Sequence, residues 1–565
     1  MAPQKECSFC DKRLVICETR ARYVQALTRL LHVVGKGKRC DSPDCGHGDL
    51  RYRSPEVGRL VLKAHEFGRD VVIWAGDQHV REKLSIPRIH KRLVGDFGVP
   101  ISERSVGNLV DDYVALSQCV AGDTGRLRER LKGQGGIVLC VDGVHFDEAS
   151  PVLYVQREVI SGEVLYAERR LARSKDDLVP MLRRSAELAA EIGVRILGIV
   201  SDKEKSLVPA IAEAFPGIPH QFCQTHFLNN VAEPLKEDEQ ELGRGARETV
   251  LALRKVQRTI ERRFPEVAVS VSAGAAEAKP AAETGGAAEP GTARDDTALA
   301  EAKVAAALVR AGTTAGVVSG RPITDPPGCK RFQRLQQVRA AVEQAARKKG
   351  APENGWPLIE KVRDAFWPLE SLYPVANRLE RHVEIVRHVA HILDTDNSAA
   401  QVKRVLRRYL NRLQEEAPRR GRGAQTGHFV DHLVKVTDSY WPGLFHTYDH
   451  AKIPRTTNSI EGFFGSTKHS VRSTSGRTST AGGKMESCGE FVVQAQALTR
   501  IMPRAELEPH LNAVPDTAFV AAKRQLLRIR EPARQRRSIQ RRLVDFLDRT
   551  LATWHASGEP RSHQV

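Results

Sequence analysis

The sequence predicts a multidomain α/β protein in which a mixed-sheet core is interrupted by a large, mainly helical insertion. Three observations carry this. Strand and helix patterns between residues 136 and 230 include two apolar strands that each end in an aspartate. Helical patterns fill residues 231–449, and a short motif with core character resumes at about residue 450. At 565 residues the chain has room for about three or four domains.

The elements of the 136–230 segment can be taken in order. "GIVLCVDGVHF" is an apolar strand ending in Asp142, and "PVLYVQREV" and "EVLYAERRL" are two more strands about a turn at Ser161-Gly162. "DDLVPMLRRSAELAAEIG" has helical periodicity, and "VRILGIVSD" is a buried-type strand ending in Asp202. The helix "KEKSLVPAIAEAF" and the short strand "PHQFC" close the series. Three strands, helix, strand, helix, strand is the order of a ribonuclease-H-like mixed sheet. In such a sheet the first and fourth strands lie side by side and parallel, so Asp142 and Asp202 reach the same edge and could share a cation. One strand-terminal aspartate is usually a turn residue; two at these positions are a sharper signal.

Residues 1–53 are expected to form a zinc-binding module. Cys7-x2-Cys10 and Cys40-x4-Cys45 are two tight pairs that can supply four soft ligands to a closed tetrahedral site. Cys17 and His47 are spare candidates for one position. Bound zinc would hold together a segment with little core of its own.

Residues 54–125 read as a helix-turn-helix DNA-binding domain. In "SIPRIHKRLVGDFGVPISERSVGNLVDDYVAL", Ser85 can cap the first helix and Pro87 suits its first turn. Gly95, Gly98 and Pro100 break the pattern. Ser102 can cap a second helix with an apolar stripe at Val106, Leu109, Val110, Tyr113 and Val114. Its opposite face offers Glu103, Arg104 and Asn108 near the helix start, where a recognition helix meets base edges.

The insertion at 231–449 contains an Ala, Gly, Glu and Pro-rich stretch, about 267–300, expected to be a disordered excursion. His382, His388 and His391 are read as helix-surface residues and not as metal ligands. Residues 450–500 would complete the core, followed by a basic helical tail at 501–565.

The formal charge of +18 and a pI near 9.6 point to a polyanionic partner, nucleic acid first. No apolar run approaches the roughly 20 residues of a membrane span, so no membrane partner is expected. The opening MAPQKECSFC lacks the layout of a secretory signal. A cytoplasmic location, with the ten cysteines as thiols or metal ligands, is therefore expected.

One stretch remains. "KIPRTTNSIEGFFGSTKHSVRSTSG", residues 452–476, holds one acid, Glu461, among hydroxyls, glycines and the cations Lys468 and Arg472. Together with the "VDG" at Asp142, the "SDKEKS" at Asp202 and the "CQTH" from Cys223 to His226, its "TTNSIEGFF" resembles a DDE transposase of the bacterial insertion-sequence type, related to the mutator-like elements. The resemblance spans roughly residues 136–230 and 450–495. It implies that Asp142, Asp202 and Glu461 are the catalytic acids and hold two Mg2+ (or Mn2+) ions. It also implies that the chain acts on double-stranded DNA, element ends and target alike, as a homo-oligomer, and that it is nucleoid-associated in a bacterial cell.

Lys468 lies seven positions after Glu461, on the same helix face, so Lys468 and Arg472 would contact phosphate. Thr456, Thr457 and Asn458 would cap the helix bearing Glu461. His226 would contact DNA or steady that helix, with Cys223 structural. Glu486 and Glu490 are the rival third acids. The function expected is DNA transposition by metal-dependent cleavage and strand transfer. The alternatives are a catalytically inactive DNA-binding regulator derived from such an enzyme and a ribonuclease-H-like nuclease.

Overall fold

The computed structural model describes residues 5–50, 52, 55–145, 151–267, 292–317, 325–348, 356–417, 424–479 and 484–557. The chain forms two compact units, one from Met1–Cys223 with His450–Val565 and the other from Gln224–Asp449.

The first unit opens with an antiparallel ribbon, β1 (Val15–Gln25) and β2 (Leu30–Arg39). Its main sheet has five strands: β3 (Ile137–Val144), β4 (Val152–Glu158), β5 (Val164–Arg170), β6 (Ile196–Ser201) and β7 (His220–Phe222). Their order is β5-β4-β3-β6-β7. The first three run antiparallel to one another, and β3, β6 and β7 are parallel. Gly162, at φ +78°, turns the chain between β4 and β5, a conformation that suits glycine.

Strand alternation sorts the side chains into two layers. Ile137, Leu139, Val141, Val152 and Tyr154 pack with Leu178 and Leu182 of helix Lys175–Glu191 and with Leu207 and Ile211 of helix Leu207–Ala214. Cys140, Val144, Leu153 and Val155 face the other way. Their core includes residues of helices Arg69–Val80, Glu103–Ala121, Asn458–Ser475 and Lys484–Ile501.

Two segments expected to be separate share the core of the sheet. The helices within 54–125 do not stand apart as a domain. Leu109, Tyr113 and Leu116 of helix Glu103–Ala121 share one core with the sheet. The first part of the basic helical tail expected at 501–565 also packs on this core. Leu507, Leu511, Phe519 and Leu526 are buried in that same core, and Arg530 clamps Asp111 through two hydrogen bonds of 2.6 and 2.9 Å. The many arginines of helix Asp516–Arg541 mask an apolar stripe at helical spacing.

Among the described residues of the second unit, all regular structure is helical. Its helices include Leu235–Arg263, Pro327–Ala346, Tyr373–Leu393 and Ala399–Glu416, the last opened by a Ser398/Gln401 capping box. The stretch expected to be disordered is helical at its end: helix Thr292–Ala315 begins inside it, because its alanines favour helix, while 268–291 lie outside the described residues.

His382 also departs from expectation. It is buried and stacks on Phe429 with ring centroids 4.4 Å apart, whereas His388 and His391 are exposed. Burial holds the His382 imidazolium pKa down to about 4. The unfolded chain therefore takes up a proton first as pH falls from about 6.5, and the second unit loses stability down to about pH 4. The expected loss is about 3 kcal/mol. His382→Phe, which keeps the stacking, should flatten this acid limb in thermal melts between pH 7 and pH 4; an unchanged limb would assign it to other groups.

Candidate active site and metal-binding module

The candidate site is built where β6 ends beside β3. Asp142 falls between Cys140 and Val144 in the alternation of β3, and so on the face covered by helix Asn458–Ser475. It is half-buried, and its Oδ1 accepts the Gly143 N–H at 2.7 Å. In the parallel pairing Val141 lies opposite Ser201, so the next residue on each strand is an aspartate. Asp142, which the sequence placed at the strand end, is still paired with Val155 as β3 runs on to Val144, and it neighbours Asp202, the first residue past β6. Ser201 in turn lies opposite Phe222, and the Cys223 N–H donates to the Ser201 carbonyl at 2.9 Å, which sets Cys223 beyond the same edge.

Glu461 comes from the first turn of helix Asn458–Ser475. Ile460, Phe463 and Phe464 fasten this helix to the core shared with Cys140 and Val144, leaving Glu461 exposed. The carboxylate and the Cys223 sulfur can offer ligand atoms within 4.8 Å of each other. The Thr457 hydroxyl donates to Glu461 Oε1 at 2.8 Å. Thr457 makes no side-chain hydrogen bond to the helix end, so its part is to hold the acid and not to cap the helix.

The electrostatics report the same convergence. The Cys140 thiol is pushed well up by burial first, then by the charges of Asp142, Cys223 and Glu461, with Arg157 opposing. The Lys468 ammonium is pushed down by burial, against the pull of Asp142 and with Arg472 adding to the fall. Lys468 also donates to the His145 carbonyl at 3.4 Å, so it belongs beside Asp142 as well as on the Glu461 helix. Arg472, one turn further on, is exposed.

A fourth acid was missed in the sequence. Glu204 accepts hydrogen bonds from the Tyr154 hydroxyl at 3.0 and 3.1 Å. Burial raises its carboxyl pKa; the Tyr154 bond opposes this and the Asp202 charge adds to it. In "SDKEKS" it reads as an ordinary helix-start acid, but the helix begins only at Leu207 and leaves Glu204 in the turn after Asp202. Of the rival third acids, Glu490 is bound through both oxygens by the Arg169 Nε, at 2.8 and 2.9 Å. The Glu486 side chain lies outside the described residues.

The remaining expected contacts are spread out. Arg104 and Asn108 are exposed on the first turns of helix Glu103–Ala121, where Ser102 Oγ accepts the Ser105 N–H at 3.2 Å and caps the helix. Gly98, at φ +65°, ends the preceding helix, Ile86–Phe97. His226 lies half-buried in the first turn of helix Gln224–Val231, which belongs to the second unit.

The four cysteines of the amino-terminal pairs do meet. Cys7, Cys10, Cys40 and Cys45 place their sulfurs within 4.8 Å of one another, with Cys7–Cys45 at 3.9 Å and Cys10–Cys40 at 3.5 Å. Sulfurs of a tetrahedral zinc site with bonds of about 2.3 Å stand about 3.8 Å apart, so this soft donor set fits zinc. The Tyr52 hydroxyl, helped by the Phe9 backbone, lowers the Cys7 thiol to about 6. At Cys10 the Lys12 N–H favours the thiolate, but burial and the neighbouring sulfurs push the thiol up. The spare candidates are used elsewhere: Cys17 donates to the Gly37 carbonyl at 3.4 Å, and His47 stacks on Phe9 at 3.8 Å.

Replacing Cys7 and Cys10 with serine, or adding a chelator, should release one zinc and unfold this module while the five-stranded core stays folded. Metal analysis finding no zinc in protein purified under reducing conditions would overturn the assignment.

Fold and site define an α/β protein with aspartates on neighbouring parallel strands and a glutamate-bearing helix packed on the face of the sheet that carries Asp142. Residues 191–262 match the family model described as "Transposase, Mutator family". The match supports a mutator-like transposase and covers Asp202, Cys223 and His226. No curated protein matches the chain. Among the described residues, no helix is long and apolar enough to cross a membrane.

Proposed function

We propose that the chain is a transposase that binds the ends of a mobile DNA element and catalyses metal-dependent cleavage and strand transfer. The observation that carries this is the meeting of Asp142 and Asp202 at one edge of a β5-β4-β3-β6-β7 sheet, with the Glu461 helix packed on the Asp142 face. The strand order supports a ribonuclease-H-like core.

Three carboxylates form a hard oxygen donor set that suits Mg2+ or Mn2+. Two such ions, when bound, activate the attacking oxygen and stabilise the leaving one. The chain's own part is to hold and orient. Gly143 fixes one oxygen of Asp142, Thr457 fixes one oxygen of Glu461, and β6 delivers Asp202 to the same edge. Lys468 and Arg472 extend positive charge along the helix from Glu461, where a phosphodiester strand would run. No residue is asked to form a covalent intermediate. Water cuts the element end, and the freed 3′-hydroxyl attacks target DNA.

End recognition is assigned to the front of the chain. Arg104 and Asn108 would read bases from the exposed start of helix Glu103–Ala121, and the zinc module would add backbone contacts. Function as a homo-oligomer on double-stranded DNA, in a bacterial nucleoid, belongs to the same proposal. A front end able to read sequence favours a transposase over a general nuclease, and three intact acids favour it over an inactive regulator.

The test is purified protein with a DNA duplex carrying the element end, in Mg2+ and in EDTA. Metal-dependent nicking at the end, followed by joining to a second duplex, is expected. Specific binding without cleavage would favour the regulator; cleavage without joining would favour the nuclease.

A further inference from the structure

The "CQTH" motif is left largely unused by the reaction as described, yet Cys223 is fully buried beside the third acid. We propose that Cys223 and Thr457 are positioning residues that act in series to hold the Glu461 carboxylate in its metal-binding orientation. This rests on the reading of Glu461 as a metal ligand.

The hydrogen bonds define the chain. Thr457 Oγ1 lies 2.8 Å from Glu461 Oε1 and 3.2 Å from Cys223 Sγ. A hydroxyl has a single proton, and the charged carboxylate is the stronger acceptor. The Thr457 O–H therefore donates to Glu461, and the Cys223 S–H donates to Thr457 Oγ1. The Thr457 N–H, 3.3 Å from Cys223 Sγ, donates back to the sulfur. Each group is used once in a consistent direction, from thiol to hydroxyl to carboxylate.

The need for such a chain follows from where Glu461 stands. It is exposed, and a glutamate in solvent samples many rotamers. Thr457 and Cys223 are both fully buried, and a β-branched threonine is stiff at χ1. Cys223 is itself pinned by its N–H bond to Ser201, the residue before Asp202. The orientation of the third acid is thus referred to the strand that delivers the second. A thiol suits the inner position because it is compact, tolerates an apolar wall and still donates a weak hydrogen bond.

The experiment measures Mn2+ binding to the full chain without DNA, by calorimetry or by electron paramagnetic resonance, alongside cleavage. Thr457→Val keeps the volume and removes the hydroxyl; it should weaken Mn2+ binding about tenfold and raise the Mg2+ needed for half-maximal cleavage in parallel. Thr457→Ser should restore both. Cys223→Ala should move both readouts the same way by a smaller factor, and Cys223→Ser should recover most of the loss. Unchanged Mn2+ affinity in folded Thr457→Val, with Glu461→Gln failing to bind, overturns the positioning chain and leaves the active-site reading intact. Equal losses in Thr457→Val and Thr457→Ser also overturn it, because packing alone would then matter. Wild-type Mn2+ binding by Glu461→Gln would instead remove the reading on which the chain rests.

Discussion

Asp142→Asn is expected to abolish strand cleavage while leaving specific binding to element ends within about twofold of the parent. The substitution keeps the shape of the side chain, and its amide oxygen can still accept the Gly143 N–H that Asp142 Oδ1 accepts at 2.7 Å. The fold should therefore survive. What disappears is a negative charge on β3, one residue past the Val141–Ser201 pair and so beside Asp202. Three acids are few for two divalent ions, so the loss of one is not shared out among many others. Metal catalysis of phosphodiester cleavage is worth several kcal/mol, and each 1.36 kcal/mol is a factor of ten. A fall of at least about a thousandfold in cleavage rate is the expected result. The DNA contacts assigned to Arg104 and Asn108 lie on another helix, so gel-shift affinity should hold. A purified, folded Asp142→Asn protein that cuts normally in Mg2+ would remove Asp142 from the site.

The parts of this fold that were legible in sequence are those written in local periodicity. The strands β3 and β6 are short, largely apolar runs, and the order of strands and helices fixes that these two become neighbours. The cysteine pairs were legible because ligand spacing is itself local. The misses share a cause. Glu204, the Cys223–Thr457 contact and the burial of helix Asp516–Arg541 depend on segments brought together from distant parts of the chain. A glutamate in "SDKEKS" carries no sign that Tyr154 will reach it from β4. Nor does Arg530 announce that it will clamp Asp111. Basic residues hide the core-forming stripe of this helix because one of its faces is apolar while the others are charged. His382 was misjudged for the same reason: its neighbours on the helix are arginine and valine, and only the packing of Phe429 decides that it is buried.

Replacing Glu461 with Gln and Lys468 with Ala should separate a metal-ligand role from a positioning role on one helix. Glu461 stands in the first turn and Lys468 two turns on, with both facing the sheet edge where Asp142 emerges. Glu461→Gln preserves length and can still accept from the Thr457 hydroxyl, but it cannot bind a divalent ion as a carboxylate does. Cleavage should fall by at least about a thousandfold, and raising Mg2+ should not restore it.

Lys468→Ala leaves the three acids in place. The chain carries a formal charge of +18, so overall affinity for DNA should change little. Cleavage and joining should fall by about tenfold to a hundredfold, as for the loss of a group that positions the scissile phosphate. End binding should become shallower in salt by about one counterion, the mark of one lost phosphate contact. Burial lowers the Lys468 pKa, the nearby Asp142 charge opposes this, and Arg472 adds to the fall. Normal cleavage by Glu461→Gln, with Glu486→Gln inactive, would move the third acid to helix Lys484–Ile501 and make the Glu461 helix a DNA-binding surface alone.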